Sequence, residues 1–134
     1  MTLLLMLACA GNVAEADIGA LAAEVYLEQM WEQRALTLES GLEEARVLYD
    51  EGRRDEAQAT VDAVYQGSFE PELEPLIRSK LDSRRATELE YGFGLVREAM
   101  GRQDTTAVDT RLDSLIERVK QAADELDQAR AVLL

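Results

Sequence analysis

Five glutamates crowd the middle of this sequence. Glu70, Glu72 and Glu74 come first, and Glu88 and Glu90 follow fourteen to sixteen residues after Glu74. Phe69 borders the first group, and Tyr91 and Phe93 border the second. A carboxylate beside apolar surface loses hydration, so it needs a cation, a proton or a hydrogen-bond donor to offset the loss. The chain has no histidine and one cysteine, which leaves carboxylates as its main site chemistry. If residues 70 to 74 are helical, Glu70 and Glu74 stand one turn apart and can share a cation. Glu88 and Glu90 lie about 200° apart on a regular helix and cannot both face that point. Glu90, beside Leu89 and three residues before Phe93, is the more inward of the two. Oxygen ligands suit hard cations such as Fe³⁺, Ca²⁺ or Mn²⁺. The candidate metal ligands are therefore Glu70, Glu74, Glu88 and Glu90. The competing reading is a solvated acidic face, with Arg78, Arg84 and Arg85 forming ordinary ion pairs.

The elements that must position these residues read as helices throughout. Strong helix formers dominate, aromatics make up 5%, and there are only two prolines. From Ala14 to Tyr49 the apolar residues step by three and four. Ala14, Ile18, Leu21 and Val25 share one face, and Trp31, Ala35, Leu38, Leu42, Ala45 and Tyr49 continue in a shifted phase. Gly52 ends that run, and Asp55 is placed to cap a helix from about Glu56 that buries Ala57, Val61 and Val64. Gly67 and Ser68 then break the chain, with Ser68 capping a new helix. Pro71 fits the first turn of that helix, whereas Pro75 fits poorly unless the helix begins near Glu74. Leu76, Ile77 and Leu81 face inward.

Leu89, Phe93, Val96 and Met100 form the next stripe, closed by Gly101. Gly92 and Gly94 permit close helix approach. Val108, Leu112, Leu115, Val119, Ala122, Leu126, Ala129 and Leu133 make a seam of strict three-four spacing. GRRDEA at Gly52–Ala57 and GRQDTTA at Gly101–Ala107 read as equivalent hairpin corners. The expected fold is all-α: an antiparallel bundle of four or five helices built from two helical hairpins, with loops near Gly52, Gly67 and Gly101.

At 134 residues the length suits one domain. Residues 1–13 form a signal-like apolar segment, and residues 14–134 form the helical bundle domain. MTLLLMLACA supplies the apolar stretch, with Ala8 and Ala10 in small-x-small spacing and no preceding Lys or Arg. The expectation is export to a periplasmic or otherwise extracytoplasmic location, with tethering to the inner membrane an option. Twenty-seven acidic against fourteen basic residues give a net charge of −13. Such a surface repels nucleic acid and anionic lipid, and leaves cations, basic partners or plain solubility.

Catalysis is not expected. There is no imidazole base and no Glu-x-x-His pair for a di-iron site. Ser40, Ser68, Ser79, Ser83 and Ser114 lack a Gly-x-Ser-x-Gly setting. Carboxylate-pair glycosidase chemistry needs a cleft that a small bundle does not offer.

Tyr49-x-x-Gly52, Ala57, Val64-Tyr65, Phe69-Glu70 and Glu90-x-x-Phe93 with Arg97 together resemble the extracytoplasmic helical domain of bacterial high-affinity iron permeases. The resemblance spans roughly residues 40 to 100. It implies a domain that binds metal cations, with an iron ion as cofactor or cargo, and hands them to a membrane permease component. Glu70 and Glu90 match that family's pattern; Glu74 and Glu88 are added from geometry. The Arg-Glu-Gly-Leu-Glu motif of the permease core is absent, as is the His-x-x-Glu motif of related periplasmic iron-uptake proteins. The alternative is an acidic helical protein-interaction module with tetratricopeptide-like hairpins and no metal. Ala45, Tyr49, Gly52 and Ala57 approximate that repeat's rhythm, although the second corner recurs after 49 or 50 residues rather than 34.

Overall fold

The computed structural model describes residues 30–133, with side chains through Arg130. The signal-like segment and the apolar positions from Ala14 to Val25 lie outside the described residues.

Four helices pack as an up-down-up-down bundle with no strand among the described residues. Helix α1 is Met30–Asp50. Helix α2 starts as Arg54–Val64 and runs on without a break through Tyr65–Leu73, Glu74–Leu76 and Ile77–Leu81. Helix α3 is Ser83–Gly101 and α4 is Thr105–Leu133. Ala35, Leu38, Leu42 and Ala45 of α1 are buried, as their spacing predicts. The α4 seam is buried from Val108 to Leu126, joined by Ile116 and Ala123, while Ala129 is exposed.

The expected break at Gly67 does not occur. Tyr65–Leu73 and Ile77–Leu81 are π-helical, and Glu74 N–H reaches the Phe69 carbonyl five residues back. Proline explains the placement. In an α-helix its ring clashes with the carbonyl four residues earlier, and Pro71 and Pro75 follow each other at that interval. Widening the turn to an i→i+5 ladder gives both rings room without ending the helix.

The widened turn also resolves the apolar pattern. Ala57, Val61, Tyr65, Phe69, Leu73 and Ile77 recur every fourth residue. On a pure α-helix that stride drifts by about 40° per step and would carry Ile77 to the face opposite Ala57. Here all but Tyr65 are fully buried, and Tyr65 is half-buried. Ser68 caps nothing. The true stop is Asp82, an extended residue whose side chain accepts from Arg84 N–H at 2.8 Å and so caps α3.

Both hairpin corners are built alike. Gly52 takes φ 81° and Arg53 N–H reaches the Leu48 carbonyl at 2.9 Å; Gln103 takes φ 57° and Asp104 N–H reaches the Ala99 carbonyl at 3.1 Å. The left-handed residue of the second corner is thus Gln103. Gly101, expected to be the stop, is the last residue of α3. At the first corner Asp55 is not the cap. Arg53 holds that position without a side-chain bond, whereas Asp104 at the second corner accepts from Ala107 N–H.

Helix spacing is set by small residues. A methyl group on Gly41 would meet Val64 Cγ2 at 2.5 Å, and one on Gly92 would meet Leu115 Cδ1 at 3.1 Å. Close approach at Gly92 was expected; Gly94 makes no such contact.

Candidate functional site

Helices α2 and α3 meet around three rings. Phe69 and Phe93 lie 4.9 Å apart between centroids, and Tyr65 is 5.8 Å from Phe69 and edge-on to Phe93 at 5.3 Å. The aromatic residues that border the two glutamate groups do come together, except Tyr91, which is 67% exposed.

Tyr65 is the centre of the arrangement. Its hydroxyl donates to Glu90 Oε1 at 3.2 Å. The Arg97 guanidinium sits 5.7 Å from the ring centroid, and its Nη1 pairs with Asp62 at 2.5 Å. Burial first, then the Glu90 hydrogen bond and the charges of Glu90, Glu70 and Glu74, push the phenol up to about 12. Three of the four candidate carboxylates are therefore within electrostatic reach of one hydroxyl.

They are not equally available. Glu70 is exposed at the surface of the π-helical stretch. Glu74 is 16% exposed and accepts from Arg78 at 2.9 Å. Glu90, expected to be the more inward of its pair, is exposed and held by Tyr65. Glu88 is turned to a different face, where Arg84 at 3.0 Å and Arg118 of α4 at 3.1 Å share its carboxylate. There it lines a polar groove with Arg85, Arg118, Gln121 and Glu125. Glu72 pairs with Arg34 of α1. Among the described residues, no three Asp, Glu, His or Cys side chains are arranged to hold a metal ion.

Sequence reasoning gave Tyr65 no role of its own. The signal was present in the four-residue stride from Ala57 to Ile77, which places it on the same stripe as Phe69.

A second polar cluster ties α1 to α4. Arg46 contacts Glu43, Asp109 at 2.8 Å and Asp113 at 2.5 Å. Burial alone would lower its pKa, but hydrogen bonds to Glu43, Asp113 and Asp109 outweigh that and hold it above the ordinary arginine value. Its charge is permanent, so the cluster is a fastening and offers no proton to exchange.

No protein-family model, curated protein or solved structure matches this chain. The likeness to iron-permease domains therefore rests on the spaced residues alone.

Proposed function

We propose that this chain is a non-catalytic helical interaction module whose acidic surface takes a basic protein partner. One observation carries the reading: the carboxylates singled out for cation binding are, Glu70 apart, already engaged. Arg78 holds Glu74, Arg84 and Arg118 hold Glu88, and the Tyr65 hydroxyl holds Glu90. What remains is a helical bundle in a chain of net charge −13, which favours cationic partners and disfavours nucleic acid. Chromatography on immobilised basic and acidic polypeptides tests it. Retention on the basic matrix alone, weakening with salt, is expected; indifference to both would sink the reading.

The second reading keeps the resemblance: an extracytoplasmic domain that receives iron or another hard cation for a membrane permease component. The Tyr65 hydroxyl favours it. A phenol bonded to Glu90 supplies two oxygen donors of the kind ferric ion prefers, and the charges of Glu70 and Glu74 reach the same hydroxyl. No described helix is long and apolar enough to cross a membrane, so any permease would be a separate partner or lie elsewhere.

Titration with Fe²⁺, Fe³⁺ and Ca²⁺ while following thermal unfolding separates the readings, because a ligand of the native state raises the melting temperature. Under the second reading Glu70→Gln and Glu90→Gln weaken binding strongly and leave the metal-free fold intact. Under the first, none of the three cations shifts the transition.

A further inference from the structure

Helix α1 sorts its side chains unusually. Its exposed residues are Glu32, Gln33, Leu36, Thr37, Ser40, Glu44, Val47 and Asp50, with no cation among them. The exposed positions of α2, α3 and α4 each include Arg or Lys. Both arginines of α1 are engaged by other helices: Arg34, its side chain half-exposed, pairs with Glu72 of α2, and the more buried Arg46 with Asp109 and Asp113 of α4.

The outward face is also the most apolar. Among the described residues the large exposed apolar side chains are Leu36 at 43%, Val47 at 55% and Tyr91 at 67%, so two of the three lie on α1. Leu36 and Val47 are eleven residues apart, which on an α-helix returns to within about 20° of the same direction roughly 16 Å further on. Glu32, Glu44 and Asp50 flank that line, and Ser40 and Glu43, the latter paired with Arg46, lie between its ends.

We infer that this stripe of α1, centred on Leu36 and Val47, is the docking surface for a basic amphipathic helix of another protein. The inference rests on the interaction-module reading and gives that module a binding face. Charge complementarity selects the occupant. An acidic partner or a second copy of this chain would set like charges against Glu32, Glu44 and Asp50, and the cations that reach α1 beside them, Arg46 and Lys120, are already paired with Glu43 and Glu39. A helix presenting apolar residues one to three turns apart, with Lys or Arg on either side, meets both features.

The probes are a synthetic Leu/Lys amphipathic helical peptide and an all-Lys peptide of equal charge, each titrated against the full chain. The Leu/Lys peptide is expected to bind more tightly than the all-Lys control. Leu36→Gln with Val47→Gln should weaken Leu/Lys binding about tenfold and leave all-Lys binding unchanged. Glutamine keeps the helix and adds no charge. Tyr91→Gln, which removes the other exposed apolar side chain, should change neither.

Equal loss in the Tyr91 variant, or no loss in the α1 variant, overturns this face while leaving the interaction module standing. No binding of either peptide overturns both. A fall in melting temperature of the α1 variant without loss of binding would assign Leu36 and Val47 to the chain's own packing, and also overturns the proposal.

Discussion

The α2–α3 and α1–α4 seams of this bundle solve the same packing problem with different chemistry. Between α2 and α3 the contact is three rings, with Arg97 and Asp62 at its rim. Between α1 and α4 the apolar core is laced by charges. Arg46 reaches Asp109 and Asp113, Lys120 reaches Glu39 at 3.1 Å, and Asp127 accepts from the backbone N–H groups of Trp31 and Glu32. Apolar contact is nearly indifferent to ionic strength, whereas exposed and half-exposed ion pairs weaken as salt screens them. One fold thus contains a seam that ignores salt and a seam that responds to it. The acidic excess sharpens the contrast, because Arg46 on the α1–α4 seam is shared among three carboxylates.

The largest test strikes the aromatic seam. Phe93→Ala should lower unfolding stability by about 3–5 kcal/mol, and urea unfolding should show nearly the same loss at low and high salt. A strongly salt-dependent loss would mean that the rings act through neighbouring charges, and the contrast between seams would fail.

Next in size is Arg46→Met, which keeps the aliphatic stem but strands Glu43, Asp109 and Asp113 together. A loss of about 1–3 kcal/mol is expected at low salt, shrinking near 1 M salt. A loss that persists unchanged would assign the effect to packing.

Asp127→Ala should cost about 1 kcal/mol, the scale of a lost helix cap. Hydrogen exchange should quicken at Trp31 and Glu32 and stay unchanged in α3.

Tyr65→Phe should be nearly silent at neutral pH. The phenol titrates near 10.0 when unfolded and is pushed up to about 12 in the fold. Between those values the unfolded chain has released a proton that the native one keeps, so stability must fall as pH rises. The wild-type protein should lose stability across that window, and the phenylalanine variant should lose less of it.

How much of this was legible in the residues varies by helix. α4 announced itself, since Val108 to Leu126 keep a strict three-four spacing that only an α-helix can bury on one side. α2 did not. Its every-fourth-residue stride fits neither an α-helix nor a strand, and Gly67 and the two prolines read as punctuation. Only the widened turn reconciles them, and π-helix of that length is rare enough to be no one's first expectation. At the second corner Gly101 does end α3, as its residue type suggests, but the left-handed residue is Gln103 two positions on, which nothing in the residue types announces. For the candidate site, pairing Phe69 with Phe93 was readable from the sequence. The departure of Glu88 to Arg118 was not, because Arg118 lies on another helix thirty residues away.

The hold of Asp127 on the first turn of α1 has a consequence in time. Its carboxylate oxygens take the N–H groups of Trp31 at 3.2 Å and Glu32 at 3.0 Å, across 96 and 95 positions of chain. During synthesis α1 emerges well before its closing partner on α4. Until α4 is made, that turn lacks the Asp127 carboxylate, and Leu38 and Leu42 lack the α4 side of their core. Closure of the α1–α4 seam therefore waits for α4, and it joins the first and last of the described helices in one step.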